Sequence, residues 1–234
     1  VLMRHTLLIL SHLLRYPSEE VRQAAPELVM ALELDGVLES SQIEEVKPLV
    51  QSLIDDELLD LQEGYSSLFD RGRALSLHLF EHVHGESRDR GQAMVDLRDR
   101  YEAQGLEIAA IELPDYLPLF LEYLSVLPPA QAMEELAQPG VIIAALAQRL
   151  EEKATPYAAP MRLLAGLAGA GTASLELAPA DNPDDLAALD AAWEEEQVRF
   201  DVPIAPDAAA SCPQVAEIVA RFAEPQPSAA VRRS

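Results

Sequence analysis

Residues His78-Leu79-Phe80-Glu81-His82 carry the types and spacing of an H-x-x-E-H zinc hydrolase motif. On a helix, side chains four positions apart lie one above the other, so His78 and His82 could share a zinc ion while Glu81 activates its bound water. His84 adds an imidazole nearby. The motif requires a helix through 78–82 and a third ligand from elsewhere, and the sequence singles out none among its 40 acidic residues. Three fixed positions in five also arise often by chance, so a zinc-dependent hydrolase is the alternative reading. Other routes to catalysis are weaker still. There is no Gly-x-Ser-x-Gly elbow and no Gly-rich phosphate loop. The single cysteine, Cys212, precedes Pro213 in a stretch with nothing to lower its pKa. It excludes a disulfide within one chain and fits a reducing compartment. Acidic runs such as Asp55-Asp56, Asp184-Asp185 and Glu194-Glu195-Glu196 read as solvated faces or helix N-terminal charges. No residue is assigned a catalytic role, and no metal or cofactor is expected.

Three stretches suggest binding instead. Residues 65–73, 79–91 and 112–123 each mix aromatic, acidic and turn residues within a few positions, and together hold most of the tyrosine and phenylalanine. Such groups on adjoining helices could form a groove with apolar anchors inside and acids at the rim, suited to an amphipathic or basic peptide helix. From periodicity alone Tyr65, Leu68 and Phe69 read as core. Glu112 reads as a rim acid. Pro114 reads as a helix-start residue, and Asp115, just inside that helix, as a charge offsetting its positive end.

The elements that must position these residues are helical. Apolar residues make up 49% of 234, but aromatics only 5%, so Leu, Ala, Val and Ile fill the core and favour helix. Met3, Leu7, Leu10 and Leu14 form one stripe over 2–14, stopped by Pro17. Ser18 is placed to cap a helix ending at Gly36, with Pro26 as a split or fresh start. Ser41-Gln42-Ile43-Glu44 has the form of a capping box, and Pro48 is a potential interruption of the helix towards Ile54. Asp55 or Asp56 should open a helix through Leu58, Leu61, Tyr65, Leu68 and Phe69, broken at 71–73. Further helices are predicted over 74–83, 87–104, from Pro114 to 127, and over 130–137, 141–153, 156–167 and 183–198. Residues 169–181 read as a loop. The expected architecture is all-α: a single-domain helical bundle of about 9–11 helices over 1–200. Residues 201–234, rich in Pro, Ala and Ser, read as a disordered tail with one short helix at 215–222.

Charge narrows the partners. With 17 basic against 40 acidic residues the formal net charge is −23, which opposes nucleic acid and anionic lipid. The first fourteen residues include Arg4, His5, Ser11 and His12 and lack a small-residue cleavage site, so no signal peptide is expected. No apolar run approaches the ~20 residues that span a bilayer.

On these motifs the chain resembles a known family, the delta subunits of respiratory nitrate reductase, which are redox-enzyme maturation chaperones of the NarJ type. The resemblance rests on residues 65–73, 80–96 and 112–124, on Leu13-Leu14-Arg15-Tyr16-Pro17, and on Trp193-Glu194-Glu195-Glu196-Gln197-Val198-x-Phe200, and covers about residues 1–200. It implies a cytoplasmic, all-helical chaperone that binds the apo catalytic alpha subunit at its N-terminal segment and a second region. The client would be kept competent for molybdenum cofactor insertion and membrane assembly. It implies no nucleic acid, no stable membrane association, and a monomer or homodimer. Carried over residue by residue, the family's groove positions are Tyr65, Leu68, Phe69 and Asp70, and Glu112, Pro114, Asp115 and Tyr116. Tyr116 departs from the histidine often found there; a tyrosine keeps a hydrogen-bonding tip but does not charge near neutral pH.

Overall fold

The apolar stripe at the start of the chain forms as expected. In the computed structural model, α1 (Leu2–Leu14) buries Leu7, Leu10, Leu13 and Leu14. The structure describes residues 2–83, 88–108 and 112–169, all within one unit, Val1–Ala188. The expected helix at 183–198, the tail after 200, the short helix at 215–222, and His84, Trp193 and Cys212 lie outside the described residues.

The Ser18 side chain accepts a hydrogen bond from Val21 N at 3.3 Å and opens α2 (Glu19–Asp35), which closes at Gly36 with φ +63°. Neither Pro26 nor Pro48 splits its helix: α2 and α3 (Ser40–Asp55) run through them. A mid-helix proline forfeits one backbone bond. Burial of Ala25, Leu28 and Leu32 in α2, and of Val46, Leu49 and Val50 in α3, holds the turns on either side. The capping box forms two residues earlier than expected. Glu39 is the N-cap, and its N–H donates to Gln42 Oε1 at 2.8 Å. Asp55 and Asp56 close α3 instead of opening α4 (Leu58–Phe69), whose N-cap is Glu57.

The predicted helix over 74–83 is absent. Two short 3-10 turns, Arg73–Leu75 and Leu79–Glu81, flank an extended His78 that pairs antiparallel with Tyr116. Leu117 N donates to Leu77 O at 2.9 Å and Leu79 N to Asp115 O at 3.0 Å. Leu75, Leu77 and Leu79 are buried at a spacing of two, the period of extended chain. Next comes α5 (Arg88–Ala103), with Gly105 at φ +77° just beyond its end, and then α6 (Leu117–Val126). Tyr116 is the N-cap of α6, so Pro114 and Asp115 precede the helix instead of beginning it. The last described helices, α7 (Pro129–Ala137), α8 (Gly140–Glu152) and α9 (Ala158–Leu167), lie close to their predicted spans.

Nine α-helices are thus present among the described residues, and the all-α architecture holds. α1 sits centrally, packed on α2, α6 and α9, while α8 lies along α9 and α3 along α2. α5 is held more sparsely: Leu97 and Tyr101 are its buried side chains. Several joints are closed by side-chain donors on backbone carbonyls. Ser11 Oγ reaches Pro118 O (2.8 Å), Tyr65 Oη reaches Leu14 O (2.9 Å), Tyr101 Oη reaches Pro114 O (2.7 Å) and Gln62 Nε2 reaches Pro17 O (2.9 Å). Asp35, buried at the end of α2, accepts from Thr6 N (2.9 Å), Thr6 Oγ1 (2.6 Å) and His5 Nδ1 (3.1 Å). Among the described residues no helix is long and apolar enough to cross a membrane.

Candidate functional site

The spacing of Leu61, Tyr65 and Leu68 turns one face of α4 toward α3 and the turn before α9. A cleft of about 250 Å³ lies there, walled by Leu49, Leu61, Tyr65, Leu68, Pro156 and Tyr157. Asp56 and Asp60 stand at its edge and Gly64 leaves part of the wall bare; among the described residues no basic side chain lines it, although the Arg22 guanidinium reaches Asp56 O at 2.8 Å. The wall is stiffened from behind by aromatic packing. The Tyr65 ring lies 4.7 Å from Phe69, 5.8 Å from Tyr157 and 5.5 Å from Tyr16, the last edge-on. Phe69 also meets Tyr157 at 5.2 Å. Tyr16 remains 46% exposed, so the aromatic cluster reaches the surface.

The Tyr65 hydroxyl fixes this wall to the rest of the fold. Its proton goes to Leu14 O, so at the 2.8 Å contact between the two phenols Tyr116 donates and Tyr65 accepts. Burial raises the pKa of both phenols, strongly for Tyr65, so they act as neutral hydrogen-bonding groups.

Behind Tyr116, the Asp115 carboxylate is fully buried. It accepts from Phe80 N at 3.1 Å and from His78 Nδ1 at 3.2 Å, with the Arg90 guanidinium 3.9 Å away. The Asp115 hydrogen bond raises the His78 pKa above its ordinary value, outweighing partial burial. Arg90 also bonds Glu81 at 3.2 Å and so ties α5 to the 79–81 turn. Beside that turn lies a second cleft, of about 270 Å³, lined by Phe80, Val83, Leu97, Phe120, Pro139 and Ile142, with Asp96 and Arg100 also on its walls.

The eight residues expected to form a groove therefore separate. Tyr65 and Leu68 line the α4 cleft; Tyr65 is 3% exposed and Leu68 half-buried. Phe69, 4% exposed, supports the cleft from within. Asp70 is the exposed C-cap residue of α4. Glu112 faces Arg15 at 4.0 Å, whose closer partner is Glu122 at 2.9 Å. Pro114 offers its carbonyl to Tyr101, and Asp115 and Tyr116 brace the fold as described. Of the acids beside the cleft, Asp56 has in sequence the signature of a helix-start charge and Asp60 belongs to no motif. Asp60, Gly64 and Leu68 recur every four residues, a signal open to a helical projection of α4.

The zinc motif does not assemble. Its residues lie on a 3-10 turn and an extended residue, and each has another partner. His78 is bonded to Asp115 and Glu81 to Arg90. His82 Nε2–H donates to Ser76 O at 2.8 Å, and burial lowers its pKa. Among the described residues no group of three His, Cys, Asp or Glu is placed to hold a metal ion.

Known proteins agree with this architecture. The fold is similar to that of a putative redox enzyme maturation protein from Archaeoglobus fulgidus, with a TM-score of 0.52 and 23% identity over 70% of this chain and 92% of that one. In sequence, the nitrate reductase molybdenum cofactor assembly chaperone NarJ of Escherichia coli K12 is 46% identical over 83% of this chain and 84% of its own. NarW of the same strain, a probable chaperone of that kind, is 42% identical over 82% of each. A family model described as nitrate reductase delta subunit matches residues 17–162, which include both clefts and the Asp115 junction, and the chain belongs to that family.

Proposed function

We propose that this protein is a cytoplasmic, system-specific chaperone for a respiratory nitrate reductase. It binds the apo catalytic alpha subunit, including its N-terminal segment, and keeps it competent for molybdenum cofactor insertion and membrane assembly. The observation that carries the reading is the α4 cleft: apolar walls from Tyr65, Leu68 and Tyr157, acids at the edge, and no cation among the described lining residues. At about 250 Å³ it falls below the ~300–1,000 Å³ of drug-sized ligand sites, a scale that suits side-chain anchors of a peptide. Apolar burial drives binding at about 25 cal/mol per Å², and the acids contribute orientation and association rate. The second cleft, beside Phe80 and Leu97, is available to a further region of the same client. The two E. coli relatives, an assembly chaperone and a probable one, support an assembly role.

Calorimetric titration with a synthetic peptide of the alpha subunit's N-terminal segment tests the reading. Leu68→Ala should weaken binding by about 1–2 kcal/mol, the loss expected for truncating an apolar contact residue. Asp60→Asn should flatten its salt dependence. Wild-type protein that leaves the peptide unbound, or Leu68→Ala that binds it equally well, rejects the assignment.

A further inference from the structure

Glycine in the interior of a helix costs stability relative to alanine and is retained for a left-handed conformation or a close approach. Gly64, in the second half of α4, has neither justification within the fold. Its φ lies outside the left-handed region, where Gly36, Gly105 and Gly169 are found. A Cβ built on it meets no atom within 4 Å, as is also true of Gly91 in α5 and Gly166 in α9, so the open space alone does not single it out. Yet it lines the cleft, one turn from Asp60 on one side and one turn from Leu68 on the other.

We infer that Gly64 is the specificity-determining position of the cleft, the gap over which the backbone of an incoming amphipathic helix crosses α4. This rests on the peptide-binding reading above. The occupant is a helical segment with an apolar side chain against Leu68 and Tyr157 and a basic side chain toward Asp56 and Asp60. Charge complementarity supports the last point: among the described residues no basic side chain lines the cleft, on a chain of net charge −23, and because Ser52 Oγ already donates to the Asp56 carboxylate and the Arg22 guanidinium bonds Asp56 O, Asp60 is the principal acid. A bare helix surface lets two backbones approach closely, and any side chain at 64 would project into that space.

The test is a size series, Gly64→Ala and Gly64→Leu, in the full chain. Urea unfolding gives stability, and calorimetry with the N-terminal alpha-subunit peptide gives affinity. Gly64→Ala should raise the urea midpoint and weaken peptide binding. Gly64→Leu should fold at least as stably as wild type and lose about tenfold or more in affinity, the discrimination typical of a pocket that must reject extra methylenes. A fold-only role for the glycine predicts a raised urea midpoint with unchanged affinity; a raised midpoint with weakened binding identifies a binding position. Gly64→Leu binding the peptide with wild-type affinity overturns the inference while leaving the cleft assignment intact. Failure of the wild type to bind removes the assignment itself.

Discussion

Replacing Asp115 by alanine orphans the groups that hold the 76–83 turn against the start of α6. Phe80 N–H, bonded at 3.1 Å, loses its acceptor inside the protein, and His78 Nδ1–H, bonded at 3.2 Å, loses its partner at a partly exposed site. Hydrogen bonds to a charged group contribute about 1.5–3 kcal/mol each. Both are near the long end of the range, and the His78 side chain is 32% exposed, which favours the lower half. Arg90, at 3.9 Å, adds little and keeps Glu81. The expected loss for Asp115→Ala is therefore about 3–4 kcal/mol. Asp115→Asn retains an oxygen for Phe80 N–H and gives up the charge, for an expected loss of about 1–2 kcal/mol. Urea unfolding followed by far-ultraviolet circular dichroism measures both, with an unchanged m-value as the check on two-state behaviour. A rim acid that touches the client would behave in the opposite way: Asp115→Asn would weaken peptide binding and leave stability alone. That outcome, or an alanine variant within about 0.5 kcal/mol of wild type, refutes the structural role derived from burial.

The His78–Asp115 pair also makes stability depend on pH. Because the folded pKa of His78 is raised above 6.5, its stabilisation is complete below about 6.5 and is lost as pH rises through the folded value. Burial lowers the pKa of His12 and His82, so these two destabilise the fold as pH falls below about 6.5, and whole-protein curves mix opposite trends. The stability difference between wild type and His78→Gln isolates the pair: it should be largest in mild acid and close in mild alkali, and a gap that widens with pH contradicts the ion-pair account. Asp35→Ala removes the buried acceptor of Thr6 N and Thr6 Oγ1 and should cost about 3 kcal/mol. A loss below about 1 kcal/mol in thermal or urea unfolding would show that α1 and α2 do not depend on this joint.

The helices were legible because their signals are local. The stripe of Leu7, Leu10 and Leu14, the Ser18 cap and the Gly36 terminator lie within a few residues of what they specify. The 74–83 segment failed because its conformation is set by a partner some 35 residues away: His78 is extended only because Tyr116 and Asp115 receive it. The alternating Leu75, Leu77 and Leu79 carried a faint trace of this, obscured by the stronger H-x-x-E-H pattern. Within the candidate site, Tyr65 and Leu68 followed from the motif, but motif membership does not separate a cleft wall from its support. Phe69 and Asp115 face inward because of contacts from Tyr157, just before α9, and from the 78–80 turn, which no spacing along α4 or before α6 encodes. Gly64 escaped notice because a missing side chain carries no chemistry until the surrounding space is known.

The carbonyl-ended joints set an asymmetry in how such a chain tolerates change. Any amino acid supplies a main-chain oxygen, so the receiving positions Leu14, Pro17, Pro114 and Pro118 do not need particular side chains to keep their part of the bond. The donors Ser11, Gln62, Tyr65 and Tyr101 have no such freedom. Mutational drift is thereby channelled onto one side of each junction. The freedom is greatest at Pro17 and Pro114, which lie between helices, whereas Leu14 and Pro118 are held by their own burial within α1 and α6.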